Sequence, residues 1–365
     1  MAAAGELRET LRRAALREPR RRFHQLYDKL YRRDVLDLAF ERACARGGRP
    51  HAYGRADLEG EGKRLQKGAF RRRGTFGDRV VEEALALVLE PVLLPRRNFA
   101  AWDVLITLRN LLVNSGGPVA TFRVRPEWTT RPGTLLDLLE LRIADRKVTA
   151  LVRAFLAAPL SAAVLDYGPL HVPRLAPGLG PLLAEYQLVC WERSVAAFLP
   201  GRVVRAGNEA VVVGGCPPAF QAGGGIVVAE ERLVDPLVAD FDFLGFSWRR
   251  RPRTGETIFQ PGREGIRAVR ARIRETTRGQ THLDLAAMVE RVNRLLFEWG
   301  GYYRVCPGRK AMKKIDAYVR ERLAIFNARK HGRSGFGMGQ PAVSRAALRE
   351  LGLIELGRLP PVEQV

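Results

Sequence analysis

Two apolar stripes in the last third of the chain restrict its fold more than any other feature. Leu285, Met288, Val289, Val292 and Leu296 recur at spacings of three and four, so on a helix of about 3.6 residues per turn they form one continuous seam. Met312, Ile315, Val319, Leu323 and Phe326 form a second seam on a helix predicted from about Lys310 to Lys330, and residues 264 to 278 form a third, strongly basic helix. Helices with one apolar side must bury it against one another, which predicts a small helical bundle. The positions left outside the seams are cationic: Arg267, Arg270, Arg272, Arg274 and Arg278 on the first helix, and Lys310, Lys313, Lys314, Arg320 and Arg322 on the last.

This bias runs through the whole chain. Lys and Arg number 61 against 39 Asp and Glu, a formal charge of +22 over 365 residues, with Arg the commoner cation. Such an excess favours a polyanionic partner, nucleic acid first and an anionic membrane surface second. No uninterrupted run of about 18 apolar residues is present, and the start, MAAAGELRETLRR, has no signal-peptide apolar region. A cytoplasmic protein with no membrane partner is expected. Cys44, Cys190, Cys216 and Cys306 are far apart, with no C-x-x-C pair and no His at ligand spacing, so neither a zinc site nor a disulfide framework is predicted.

Upstream, residues 6 to 45 read as two helices separated after Pro19. The first carries Arg12 and Arg13, and Arg20, Arg21 and Arg22 follow it. Residues 47 to 77 are rich in Gly, Arg and Lys with little apolar periodicity and read as loops or a basic ribbon. Val81, Leu85 and Val88 mark a helix over 78–94 with one buried stripe and a stop at Pro91. A helix over 135–156, a strand over 120–124, a helix over 181–199, a hairpin over 203–213 and a strand over 240–248 complete the reading, and the region from Gly332 onward reads as loosely ordered apart from a short helix over 344–351. Gly60, Gly62 and Lys63 lack the frame of a phosphate loop, and Gly223 to Gly225 lack that of a dinucleotide fold. His24, His51, His171, His282 and His331 are too scattered to suggest a catalytic group.

The string VNRLLFEWGGYYRV followed by MKKIDAYVRERLAIFNARKH resembles the maturase-specific domain, or domain X, of group II intron-encoded reverse transcriptases. Val292, Asn293, Leu296, Trp299, Tyr302, Tyr303, Ile315, Asp316, Val319, Arg322 and Leu323 fall in register with the family's core. Phe297-Glu298 stands where the family has an Arg-Gly turn, and Gly301 where it has Asn. Upstream, GDRVVEEALALVLEPVL, LRIADRKVTALVRAFL and DFDFLGFSW resemble reverse transcriptase segments of the fingers and palm, in the family's order. Trp299, Tyr302 and Tyr303 could stack on bases, although Trp299 and Tyr303 read better as core.

The resemblance implies a two-metal polymerase site, with an Asp opening the first palm motif and a YADD pair on a hairpin. Arg123 occupies the first position. Ala206, Gly207, Asn208 and Glu209 occupy the hairpin, leaving one carboxylate of three. A guanidinium about 4 Å from a divalent ion, at an effective dielectric near 20, would repel it by about 8 kcal/mol. A shift of register would bring Glu127 in as a substitute ligand. The family's PQG…SPLLAN motif keeps only Gly180-Pro181-Leu182-Leu183-Ala184 after Arg174-Leu175-Ala176, and Glu231, Arg232 or Asp235 stands near an expected Lys. Decay at chemistry-bearing positions fits a scaffold kept for binding, or a relic.

The expected fold is α+β, with residues 1–50 a basic helical region, 51–248 a degenerate fingers and palm with a small antiparallel sheet, 249–335 a helical thumb and maturase domain, and 336–365 a tail. The expected function is maturase-like binding of structured, group II intron-like RNA without polymerase activity. Arg12, Arg13, Arg20, Arg21, Arg22, Arg267, Arg270, Arg274, Lys310, Lys313, Lys314, Arg320 and Arg322 are the candidate phosphate contacts. No cofactor is expected, Mg²⁺ entering only with polymerase activity. The alternatives are an active RNA-directed DNA polymerase and a protein-interaction scaffold on a dead polymerase fold.

Overall fold

The computed structural model describes residues 2–47, 53–68, 70–71, 74–96, 101–126, 132–157, 178–214, 226–280, 282–306, 309–332 and 343–359. Helices α1 (Ala2–Arg17), α2 (Tyr27–Leu30), α3 (Arg33–Gly47) and α4 (Arg55–Gln66) pack around α5 (Phe76–Leu93). A helix that is apolar on every side belongs in a core, and α5 buries Val80, Val81, Leu85, Leu87, Val88 and Val92 together with Glu83 and Glu90, rather than the single stripe expected. The two carboxylates are met by Arg46 of α3 and Arg8 of α1, the latter at 2.7 Å. Pro91 does not stop the helix. It sits in the last turn, and Leu94 N–H closes that turn on the Glu90 carbonyl at 2.9 Å.

Helix α4 corrects the expectation of loops over 47–77. Its glycines lower intrinsic helicity, but Leu58, Glu61 and Leu65 face inward, and the Asp57 carboxylate accepts the Gly54 N–H at 2.8 Å. Gly62 allows α3 to come close, since a Cβ there would meet Leu36 Cδ1 at 3.1 Å.

The helix expected over 135–156 is two, α7 (Pro132–Glu140) and α8 (Arg146–Leu156), after α6 (Ala101–Ser115) and strand β1 (Val119–Pro126). Asp145 makes the break. Its Oδ1 caps α8 by accepting from Lys147 N at 3.1 Å, while Oδ2 accepts from Leu26 N and Tyr27 N at 2.8 and 2.9 Å.

Helix α9 (Leu179–Phe198) crosses to the hairpin of β2 (Val203–Ala206) and β3 (Glu209–Val213), and β4 (Ile226–Val234) completes an antiparallel sheet of order β2-β3-β1-β4. β1 and β2 run parallel with β3 inserted between them, which is a split β-α-β arrangement. Alternation along the strands gives the sheet two faces. Ala120, Phe122, Val124, Ala210 and Val212 pack with Leu188, Trp191 and Val195 of α9, and Val119, Val204, Val211 and Val213 join the core that includes Leu105, Leu108 and Leu112 of α6.

The segment expected as one strand over 240–248 is a hairpin, β5 (Phe241–Phe243) and β6 (Phe246–Arg250), with β7 (Thr257–Pro261) as third strand. Leu244 (φ +52°) and Gly245 (φ +72°) form its turn. Both central residues of such a turn need positive φ. A leucine there costs about 1 kcal/mol, so neighbouring groups must hold it. Helices α10 (Arg263–Thr276), α11 (Leu285–Tyr303) and α12 (Lys310–Lys330) then form the expected bundle, closed by α13 (Arg345–Glu350) and a 3-10 turn at Leu356–Arg358. The molecule is thus α+β, with small antiparallel sheets and a helical C-terminal region.

Arg205, with its side chain 1% exposed, fixes the β2–β3 turn by bonding Glu185 (2.6 Å), Glu192 (2.9 Å) and the Gly207 carbonyl (2.7 Å). Removing one partner of a buried ion pair leaves the other charge under-compensated. Glu185→Ala is expected to lower the unfolding free energy in urea by about 3 kcal/mol and to speed amide exchange across residues 206–209.

Candidate nucleic-acid interface

Helix α10 turns Val269 and Ile273 into the core, and Ile266 packs against it half-buried, which leaves Arg267, Arg270, Arg274 and, past the helix end, Arg278 exposed along one side. Spacings of three and four place these guanidiniums in a row. The Arg270 guanidinium lies 4.8 Å from the Tyr318 ring centroid of α12, which orients it without neutralising it.

On α12, Lys310, Lys313 and Lys314 are exposed on the first turns. Arg320 and Arg322 are drawn into the fold: both are partly buried, and Arg322 Nε donates to Thr277 Oγ1 at 3.2 Å, tying α12 to the end of α10. At the other end of the chain, Arg12 and Arg13 share Glu9 at 3.3 and 3.5 Å, and Arg21 pairs with Glu18 at 3.1 Å beside the Phe23 ring. Arg20 and Arg22 are exposed.

The aromatics of the recognised motif are structural. Trp299 and Tyr303 are 0% exposed, and half-buried Tyr302 donates its hydroxyl proton to the Leu244 carbonyl at 2.8 Å. The aromatic that reaches solvent on α11 is Phe297, 75% exposed. It stands in the polar row of Glu290, Arg294 and Gly301, and that placement on the wrong face of an amphipathic helix is the sequence signal that marks it. Asn293 and Asp316, also in the motif, serve the fold. Asn293 Nδ2 donates to the Gly352 carbonyl at 2.9 Å and its Oδ1 accepts from Ile354 N at 2.9 Å, while Asp316 accepts from Leu356 N and Gly357 N at 2.9 and 2.8 Å. Residues 343–359 are accordingly a clasp across α11 and α12: the short helix expected over 344–351 is α13, and residues 352–359, where loose order was expected, are docked.

Arg123, Asn208 and Glu209 come together as the sequence places them. Arg123 is the register partner of Glu209 across β1 and β3, and Val124 N–H donates to the Asn208 carbonyl at 2.7 Å. They line a cleft of about 410 Å³ with Glu230, Asp242, Arg263 and Glu264, between the four-stranded sheet, the β5–β6 turn and the start of α10. The Arg123 guanidinium lies 3.9 Å from Glu209 and 3.7 Å from Glu230. Glu209 Oε2 accepts from Leu244 N at 2.7 Å, so this carboxylate holds the positive-φ turn. Burial pushes the Glu209 carboxyl up, against the Leu244 hydrogen bond and the Arg123 charge.

A metal pair finds a poor fit here. One oxygen of Glu209 is taken by an amide, a guanidinium faces the other, and residue 208 offers a neutral amide. Among the described residues no group of three His, Cys, Asp or Glu side chains is placed to hold a metal ion. Glu127, the substitute ligand, and Arg174, Leu175 and Ala176 of the decayed motif lie outside the described residues, as do Cys216, His51, His171 and Gly223 to Gly225. Cys44, Cys190 and Cys306 are free thiols. Gly60, Gly62 and Lys63 lie within α4. Among the described residues no helix is long and apolar enough to cross a membrane.

Residues 266–340 match the family model described as group II intron, maturase-specific domain. The match begins inside α10, takes in α11 and α12, and stops short of residues 343–359. No curated protein matches the chain.

The raised Glu209 carboxyl sets a pH dependence. A group whose folded pKa exceeds its unfolded value stabilises the fold below the unfolded value and loses that contribution as pH rises through the folded one. The wild type is therefore expected to lose stability relative to Glu209→Gln as pH rises from about the ordinary carboxyl value of 4.5 toward neutrality. Gln keeps an acceptor for Leu244 N–H. Urea midpoints at pH 4, 5.5 and 7 check this, and parallel curves for the two proteins would refute it.

Proposed function

We propose that this protein binds structured, group II intron-like RNA as a maturase-type folding cofactor, and that its polymerase-like cleft does not add nucleotides. The observation that carries the reading is the row Arg267, Arg270 and Arg274 on the solvent side of a helix inside the region that matches the maturase-specific domain. Apolar seam and basic row divide the labour on α10. One side builds the bundle, and the other presents charge that can neutralise phosphates. Lys310, Lys313 and Lys314 on α12 extend the surface, and Phe297 offers a ring on which an unpaired base can stack. Arg12, Arg13, Arg20, Arg21 and Arg22 are a second, N-terminal group of candidate contacts; Arg12, Arg13 and Arg21 are partly neutralised by Glu9 and Glu18.

The split β-α-β sheet and its turn at residues 207–208 suit a reverse transcriptase-like palm, with Arg123 and Glu209 paired where the family would carry two metal-binding carboxylates. In place of a cation between carboxylates there is a side-chain cation between Glu209 and Glu230. That arrangement supports a cleft whose charge is balanced by the protein itself.

Binding to a folded group II intron domain is expected to weaken steeply between about 50 and 200 mM salt, as counterion release requires. The variant Arg267→Gln/Arg270→Gln/Arg274→Gln is expected to reduce the slope of log K against log salt by about 2 to 3, at about 0.9 per phosphate contact. Primer extension with Mg²⁺ is expected to yield no product. Extension that disappears in Glu209→Ala would establish the polymerase reading instead. Weak, salt-insensitive RNA binding would favour a protein-interaction scaffold.

A further inference from the structure

Building on the RNA-binding reading, we infer that the C-terminal clasp carries a second phosphodiester-binding patch, formed by Arg345, Arg349 and Arg358 around Glu355. These residues lie beyond the region that matches the maturase-specific domain.

The clasp is docked rather than draped. Asn293 and Asp316 hold its backbone by the four hydrogen bonds described above. It also approaches both helices closely: a Cβ on Gly300 would meet Leu356 Cδ2 at 2.5 Å, and one on Gly357 would meet the Asp316 carboxylate at 3.0 Å. Leu348 and Leu356 are buried in the bundle core. Side chains on the outer surface of residues 345–358 therefore stand on a fixed base.

On that base one carboxylate gathers three guanidiniums. Glu355 accepts from Arg345 through both oxygens at 2.7 and 3.1 Å and from Arg349 at 3.0 Å, and the Arg358 guanidinium forms an ion pair with it at 2.8 Å. Glu355 is 10% exposed, whereas the three arginine side chains are 53%, 38% and 62% exposed. The hydrogen bond from Arg345, with help from Arg349, pulls the Glu355 carboxyl down to about 2, so it is ionised at neutral pH. Three positive charges against Glu355, and against Asp316 beneath the clasp, leave the patch net positive. Each guanidinium has about five N–H donors, and one carboxylate can accept about four hydrogen bonds in all, so most of the donors still face water.

A surface arginine normally loses rotamer freedom when it binds a phosphate. Here the shared carboxylate has already restricted the three side chains, so less is lost on binding. The patch adjoins α12: Arg309 donates to the Leu356 carbonyl at 3.4 Å, and a Cβ on Gly357 would lie 2.9 Å from Lys313 Cγ. Three guanidiniums gathered on one carboxylate beside the start of α12 suit a ligand that repeats its negative charge. A nucleic-acid backbone has that form.

The test uses the full chain and the same folded RNA. Arg345→Gln/Arg349→Gln/Arg358→Gln is expected to weaken binding at least tenfold near 0.15 M salt and to flatten the salt slope by about 2 to 3, with Arg267→Gln/Arg270→Gln/Arg274→Gln run in parallel. Arg358→Gln alone leaves Arg345 and Arg349 on Glu355, so it preserves the clasp even where the triple variant melts early; it is expected to cost about one unit of slope. The proposal is overturned if the wild type binds, the α10 variant binds weakly, and both clasp variants match the wild type in affinity and slope. It is also overturned if the clasp variants bind RNA normally but lose binding to phosphatidylserine vesicles. Failure of the wild type to bind RNA at any salt would remove the functional reading, and this one with it.

Discussion

The hydrogen bond from Leu244 N–H to Glu209 joins the two halves of the molecule. Glu209 opens β3 in the four-stranded sheet, while Leu244 sits in the positive-φ turn of the second sheet, whose carbonyls accept from Tyr302 and Tyr303 of α11 and from Gly262 N–H. The turn is thus held from the sheet on one side and from the bundle on the other. Gly262 has no room for a side chain, since a Cβ would come within 2.8 Å of the Gly245 carbonyl. A leucine at positive φ persists only where its surroundings over-determine it, and here the Leu244 N–H and the carbonyls of Leu244 and Gly245 all have partners. The cleft inherits its shape from this contact.

The carboxylate of Glu209 cannot be both a free metal ligand and the acceptor that fixes the turn. Arg123 resolves the remaining charge from the exposed side. A carboxylate placed at residue 123 or 208 would still leave Glu209 bound to Leu244.

Periodicity made the bundle legible. α12 begins and ends as predicted, and the seams of α11 and α12 bury the residues expected of them, Leu285 only in part. The meeting of Arg123 with Glu209 is what the resemblance implied, while the Gly-Asn turn itself marked only the β2–β3 hairpin. What escaped was decided by partners distant in the chain. Helix α4 has glycines that weaken a local prediction but suit close packing on α3. The break between α7 and α8 depends on Asp145 reaching Leu26 and Tyr27. β4 is stabilised by β1, a strand about a hundred residues earlier in the chain. Phe297 showed in the sequence only as a departure from the family pattern, and the arginines on Glu355 lie outside the motif, whose own Trp299 and Tyr303 fill the core.

The clasp also bears on how the bundle comes into being. Asn293 finds its partners 59 and 61 residues later in the chain, and Asp316 finds its own 40 and 41 residues later. Domains assemble from the N-terminal side as the chain is synthesised, so α11 and α12 can meet while these polar groups still lack their partners. Polar closure of the helical region thus draws on a segment that follows all three helices in the chain, so a chain ending at α12 would leave Asn293 and Asp316 without these partners.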